Sequence, residues 1–204
     1  SAIHTPQEDG IHLVDIGDLR GLGGEQFVYR VEIAEARDTI HNHTVSWAND
    51  RFEINRTAGF IVPRGNKWSV NVYVAEEIGN SYKGALRLVP VGLPKGITMI
   101  APDYVPGMNG VPCLFVADED VLPSAHLFHI QLQRVDDGSF IETSSQAYIP
   151  FINHSGGRSW HHAHLMSYAL GIVESSPFTI DVMQPKIPIS QAGELRVKVK
   201  IVRD

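Results

Sequence analysis

Apolar and polar residues alternate in several short segments between residues 60 and 134, and turn residues separate the segments. In residues 68–74, Trp68, Val70, Val72 and Val74 fall on one side of an extended chain. A period of two indicates a half-buried β-strand, and branched residues suit a pleated sheet. Four further segments continue this pattern: 85–91, 97–100, 113–116 and 126–134. Short strands separated by Gly- and Pro-rich turns are typical of an antiparallel sandwich.

The flanking residues carry weaker signals. Residues 11–16 and 27–33 alternate with the period of strands, whereas the polar, His-rich residues 38–49 are predicted to form a linker or an exposed loop. A domain boundary is therefore expected near residues 36–50. No amphipathic helix of useful length is predicted anywhere in the chain.

The tail of the chain repeats part of the central pattern. Phe52 and Ile54 recur as Phe178 and Ile180, and the valines of residues 70–74 recur as Val197, Val199 and Ile201. Similar order and spacing indicate one whole copy of a repeating unit and the first part of another. Strands of the partial copy would need partners, which could be the N-terminal strands, another chain, or residues beyond position 204.

These motifs resemble a known domain layout. Residues 8–12, 18–24 and 27–33 resemble the closing strands of bacterial pre-peptidase C-terminal (PPC) domains. Residues 52–134, with the sequences VPRG at 62–65 and VGLPKGI at 91–97, resemble the immunoglobulin-like modules that follow such domains in large exported proteins of planctomycete-type bacteria. The resemblance covers about two thirds of the chain, and only the end of a PPC-like unit is present.

The resulting fold prediction is all-β: an immunoglobulin-like antiparallel β-sandwich with flanking strand-rich segments. Residues 1–36 are assigned to the end of a PPC-like domain, residues 50–136 to the sandwich, and residues 145–204 to a partial second sandwich. The resemblance implies an extracellular or envelope location and a role as a spacer, adhesion or substrate-binding module. It implies no shared catalytic residues.

Composition restricts the class of partner. The chain has 204 residues, of which 43% are hydrophobic and 20% charged, as in ordinary globular domains. Its net charge of −6 at pH 7 argues against a nucleic-acid surface.

No apolar run has the length of a membrane span. The sequence shows no signal-peptide pattern and no initiator Met, so we expect a processed product or a piece of a longer protein.

The lone cysteine, Cys113, rules out a disulfide within the chain. It lies in the apolar run 111–116, which predicts a buried structural thiol. A reactive thiol is the alternative, but no Lys or Arg is close in sequence to lower its pKa.

Histidines form the strongest candidate for chemistry. Four of the ten lie between residues 154 and 164, and His162 and His164 would share one face of a strand. With His154 from the adjacent Gly-rich loop, they could hold Zn²⁺ or Cu²⁺. No carboxylate or cysteine lies nearby, and the HExxH motif is absent. An exposed polar strand or interdomain loop is the favoured alternative.

Three other candidates are weaker. Asp103 and the carboxylates of 118–120 could form a Ca²⁺ cage, although a solvated turn is the simpler interpretation. A serine hydrolase is disfavoured because the GxSxG motif is missing. Trp160 and Tyr168 could form a platform for stacking sugars.

We therefore predict a non-catalytic module of an exported bacterial protein that acts in scaffolding, adhesion or ligand binding. Its expected partners are other domains of a longer parent protein, or another chain that pairs with unpaired strand edges. A metal-binding protein or metal-dependent enzyme built on the histidines is one alternative. A carbohydrate-binding module with a glycan partner is the other.

Overall fold

A computed structural model describes most of the chain. The described residues are 4–28, 31, 33, 39–44, 59–76, 82–153, 159–183, 185–186, 188 and 192–203. The description is limited to the backbone at residues 76, 144, 146, 148–153 and 159–164.

Within these ranges the chain forms twelve strands and no helix, which confirms the all-β prediction. The strands are β1 (Thr39–His43), β2 (Gly59–Pro63), β3 (Lys67–Glu76), β4 (Leu86–Val91), β5 (Ile97–Ile100), β6 (Val111–Ala117), β7 (Ser124–Arg134), β8 (Phe140–Asn153), β9 (Ser159–Leu165), β10 (Tyr168–Val173), β11 (Phe178–Met183) and β12 (Lys198–Arg203).

Ten strands belong to one sheet that folds back on itself like a sandwich. Its order is β2-β10-β7-β8-β1-β3-β6-β5, with β4 also paired to β7 and β9 to β8. Strands β2, β10, β7 and β4 form one layer, and β9, β8, β1, β3, β6 and β5 form the other. The layers join where β7 turns into β8. They face each other across the core, since Phe60 of β2 lies 4.7 Å from Phe115 of β6 between ring centroids.

The core follows from the alternation along the strands. Phe128, Ile130 and Leu132 of β7 are buried, while the residues between them are more exposed. Burying each such side chain stabilises the fold by roughly 1.5–3 kcal/mol. Strands β6 and β10 contribute the same alternation from opposite layers. The core therefore lies between the two layers and includes Cys113.

A tight turn joins β2 to β3. Asn66 N donates a hydrogen bond of 3.1 Å to the Pro63 carbonyl, and Gly65 adopts a φ of 68°. Residues with a Cβ rarely adopt this left-handed conformation, so glycine suits the position. The turn presents Arg64 and Asn66 toward the segment that follows β10.

Two strand pairs are parallel, so the sheet is mixed where wholly antiparallel pairing was predicted. β1 runs parallel to β8, and β2 runs parallel to β10. In both cases, an early strand pairs with a late strand of the same direction. Strands β8, β9 and β10 thus pair with strands of the first sandwich. Such pairing was one of the predicted alternatives for the flanking segments, although residues 145–204 were assigned to a partial second sandwich.

Two predictions of local structure are wrong. Residues 11–16 form no strand, and Ile11 and Leu13 are almost fully exposed. An alternating pattern is compatible with a strand, but it does not supply the neighbouring strand that is needed for pairing. Residues 39–43, predicted to be part of a linker, form β1 in the middle of the sheet. The polar Asn42 occupies a core position there and interrupts the apolar pattern.

β11 and β12 form a separate two-stranded sheet with one apolar face. The cross-strand pairs Ile180–Ile201 and Val182–Val199 fall on that face, together with Phe178. All of these side chains are exposed. An isolated hairpin of this kind is marginally stable in water.

Candidate functional site

The predicted metal ligands lie at the edge of the second layer. His162 and His164 are on β9, where their cross-strand partners are Pro150 and Tyr148 of β8. The backbone thus confirms a strand at these two histidines. His154 lies outside the described residues. Metal binding by this set stays a prediction.

A second pair of histidines was missed because residues 38–49 were interpreted as a linker. His41 and His43 alternate along β1 with the buried residues Ile40 and Asn42. The two histidines are half-buried on the outer side of the layer. Alternation in the sequence IHNH was the available signal, but it indicates a strand only when asparagine is accepted as a core residue.

Neighbouring residues contact the His43 ring and lower its pKa. Its ring stacks on Tyr73 of β3, with centroids 5.4 Å apart and planes inclined by 21°. Burial lowers the pKa of His43 below its usual value, and the charge of His41 adds to the effect. Burial therefore favours the neutral form of the His43 imidazole.

Behind these histidines, a buried polar network joins four strands. Asn42 Nδ2 donates a hydrogen bond of 2.8 Å to the Ile130 carbonyl, and Asn42 Oδ1 accepts from Ser145 Oγ at 3.0 Å and from Tyr168 Oη at 2.6 Å. Ile130 N in turn donates to Ser145 Oγ at 2.8 Å. Buried polar groups are costly unless they are paired in this way.

The same network excludes Tyr168 from a sugar-binding platform. The side chain is 1% exposed and its hydroxyl is engaged inside the core. The prediction for Tyr168 is wrong because an aromatic ring must be accessible to stack on a sugar. For Trp160, the structure describes the backbone alone.

The proposed calcium cage does not form. Asp103 pairs with Arg87, whose Nε lies 3.1 Å from Asp103 Oδ1. Across the side chains that the structure describes, no group of three His, Cys, Asp or Glu residues is arranged to hold a metal ion. The carboxylates of residues 118–120 are exposed, as expected for a solvated turn.

A groove beside that turn brings serine, histidine and aspartate together. It has a volume of about 420 Å³, and its lining includes Asp118, Asp120, Ser124 and His126. His126 Nε2 lies 2.9 Å from Ser124 Oγ, but the serine hydroxyl donates its proton to the Leu122 carbonyl at 3.0 Å. A catalytic base must instead accept that proton. This pair therefore lacks the arrangement of a nucleophile with its base.

Cys113 is fully buried, and burial raises the pKa of its thiol to about 12. A thiol in this environment stays protonated and is a poor nucleophile. The prediction of a structural thiol is confirmed.

A polar groove marks the junction between the sandwich and the hairpin of β11 and β12. Asn66 Nδ2 donates a hydrogen bond of 3.0 Å to the Phe178 carbonyl, and Lys67 Nζ lies 3.6 Å from Asp181 Oδ1. Arg64 pairs with Glu174 at 2.9 Å just before β11. The turn between β2 and β3 thus fixes the start of the hairpin by exposed, individually weak contacts.

The sequence matches no protein-family model and no curated protein. Within the part of the chain that is described, no helix has the length and apolarity needed to cross a membrane.

Proposed function

We propose that this chain is a non-catalytic β-sandwich module of an exported bacterial protein, and that it acts in scaffolding, adhesion or ligand presentation. In this proposal the sandwich is immunoglobulin-like and is followed by the start of a second one. The observation that carries it is the exposed apolar face of β11 and β12, attached directly to a completed sandwich.

Strand order supports the immunoglobulin-like assignment. Constant-type immunoglobulin domains have strands ABED in one sheet and CFG in the other. Here β1-β3-β6-β5 and β4-β7-β10 follow those two orders, with the strands taken in chain order from A to G. β2 adds to the second layer beside β10, and β8 and β9 are inserted between the strands equivalent to F and G.

The internal repeat supports a second unit. Val72 is buried and Val74 is partly buried against the core of the first sandwich. Their counterparts in the repeat, Val199 and Ile201, lie on the apolar face of the hairpin. The opposite face carries Asp181 and Lys200 as a cross-strand pair. An amphipathic pair of strands of this kind is what the inner sheet of a sandwich requires.

The resemblance to modules of planctomycete-type exported proteins supports the extracellular or envelope location. Antibodies against the chain, applied to fractions of the source cells, test the proposal. We expect the antigen in the envelope or the medium, on a polypeptide larger than 22.5 kDa. A cytoplasmic antigen of 22.5 kDa would contradict both the location and the tandem arrangement.

A further inference from the structure

Two separate parts of the chain expose apolar residues with the period of a strand. In residues 11–16, Ile11 and Leu13 are 95% and 92% exposed, and no strand of the described chain pairs with this segment. Among the described strands, β12 pairs with β11 alone, so its other edge is open. An open edge presents a row of backbone N–H and C=O groups to which a further strand can be added.

The hairpin of β11 and β12 would gain stability from a third strand. A hairpin of two strands is marginally stable in water, and three strands with an apolar face are needed for independent stability. The sandwich already contacts β11, through the hydrogen bond from Asn66 to the Phe178 carbonyl and the ion pair of Lys67 with Asp181. The open edge of β12 is therefore the place for an added strand.

Charge favours residues 11–16 as that strand. Residues 8–18 contain neither Lys nor Arg, and their carboxylates are those of Glu8, Asp9, Asp15 and Asp18. β12 contains no carboxylate, and its cations are Lys198, Lys200 and Arg203. Opposite charges on neighbouring strands attract, whereas the carboxylate of Asp181 on β11 would repel the acidic segment.

One antiparallel register matches the charges and the apolar residues together. Asp15 then lies opposite Lys200, on the face of the hairpin that carries Asp181. The neighbouring pairs are all apolar: Val14–Ile201, Ile16–Val199 and Leu13–Val202. The first two of these pairs extend the apolar face of the hairpin by one strand. Apolar and oppositely charged cross-strand pairs both stabilise a sheet.

Other registers fit less well. A shift by one residue moves Asp15 to the apolar face of the hairpin. A shift by two residues places Asp15 opposite Val202 in one direction, and Leu13 opposite Lys200 in the other. A parallel strand with the same Asp15–Lys200 pair places Leu13 opposite Lys198.

The segment that meets these requirements belongs to a second copy of the chain. Within a single chain, Ile11 and Leu13 are almost fully exposed, so the hairpin of that chain does not cover them. Because the added segment and the open edge are different surfaces, each copy can donate a strand to one neighbour and accept a strand from another. Contacts of this heterologous kind lead to closed rings or open chains of molecules.

We propose that residues 11–16 of one copy add as an antiparallel strand to β12 of a second copy, with Asp15 opposite Lys200. Addition of an extended segment to a sheet edge is a recurring mode of recognition, in which backbone hydrogen bonds give affinity and alternate side chains give specificity. The inference rests on the scaffolding role in the proposed function and names the partner, but it requires no extracellular location.

Sedimentation velocity of the 204-residue protein over a range of concentrations tests the proposal. The contact is smaller than a standard interface of about 1,600 Å², so we expect species heavier than 22.5 kDa to form with a dissociation constant of about 0.1 mM. Asp15→Lys and Lys200→Asp should each weaken association about three- to tenfold, because like charges then face each other. Combined in one chain, the two substitutions restore an opposite pair and should restore association. Glu25→Lys, the matched control, makes the same charge change outside the added strand and should have little effect.

Disulfide trapping distinguishes a second copy from the same chain. After oxidation, the double variant Val14→Cys with Ile201→Cys should form covalent dimers and larger species on a non-reducing denaturing gel. Val14→Cys with Val202→Cys places the two thiols on opposite faces and should form few. The native thiol of Cys113 is fully buried and does not interfere.

Three results would overturn the proposal: a monomer at every concentration, association that the charge reversals leave unchanged, or a disulfide closed within one chain. Circular dichroism establishes whether each variant folds. If a variant does not fold, hydrogen exchange of the wild-type protein decides the question. Residues 11–16 and β12 should gain protection in concentrated samples relative to dilute ones, and equal exchange in both would refute the contact. Fractionation of cells reports location and denatured size, so it can fail while self-association holds, and the reverse.

Discussion

The hydroxyl of Tyr168 donates a hydrogen bond of 2.6 Å to Oδ1 of Asn42, and so joins the first and tenth strands inside the core. The two residues are 126 positions apart in the chain. The bond therefore connects the two layers of the sandwich through a buried polar contact.

Replacement of Asn42 by Ala should destabilise the protein by about 1–3 kcal/mol, because it removes three buried hydrogen bonds: one to the Ile130 carbonyl and those from the hydroxyls of Ser145 and Tyr168. Urea unfolding followed by circular dichroism measures the change. Asn71→Ala is the control, since Asn71 is exposed on β3 and its loss should cost less than about 0.5 kcal/mol. Equal effects of the two substitutions would show that the network contributes nothing to stability.

Tyr168→Phe removes only the hydroxyl, and we expect a loss of about 1 kcal/mol. Combined with Asn42→Ala in a double-mutant cycle, it should give a coupling energy of about 0.5–3 kcal/mol. Tyr73→Phe combined with Asn42→Ala should be additive, because Tyr73 lies on the outer side of β3. A coupling energy of zero between Asn42 and Tyr168 would refute the hydrogen bond.

The buried thiol of Cys113 predicts a fall of stability at high pH. Its pKa is raised from 9.0 to about 12 in the folded state, so the unfolded chain loses the proton first as pH increases. The stability of the folded state that depends on the protonated thiol is complete below pH 9 and is lost as the pH rises toward about 12. Urea unfolding across this range should show a steeper fall for the wild type than for Cys113→Ala. Parallel curves would contradict the raised pKa.

The apolar face of β11 and β12 should bind the dye ANS. Ile201→Asp places a charge on that face and should reduce the dye fluorescence. Val202→Asp, one residue away on the opposite face, should have little effect. Both side chains are exposed, at 57% and 41%, so neither change disrupts a core. An equal decrease for both variants would contradict the assignment of an apolar face.

The sequence predicts those strands whose core positions are all apolar. The regularly spaced valines of β3 and the alternating residues Phe128, Ile130 and Leu132 of β7 indicate directly which side of each strand faces the core. The hidden strands are those with polar residues in the core: Asn42 in β1 and Ser145 in β8. Their hydrogen-bond partners come from distant parts of the chain, which no local pattern encodes.

For the candidate site, too, the sequence shows the local features but not the pairing of distant strands. The histidines of residues 161–164 are conspicuous in the sequence, and a strand was the stated context for His162 and His164. The half-buried histidines of β1 were missed, because β1 pairs in parallel with the late strand β8. Composition carries no information on such pairing. Tyr168 was proposed for a sugar-stacking platform because its buried partner, Asn42, is distant in the sequence.

Hydrogen exchange of the 204-residue protein, measured by mass spectrometry, tests the central claim most directly. The claim is that β11 and β12 belong to a second unit, separate from the sandwich formed by the other ten strands. β7 pairs with strands on both sides, whereas β11 and β12 pair only with each other. Peptides of β7 should therefore exchange slowest, and peptides of β11 and β12 should exchange fast. Equal protection of β7 and the hairpin would contradict the account.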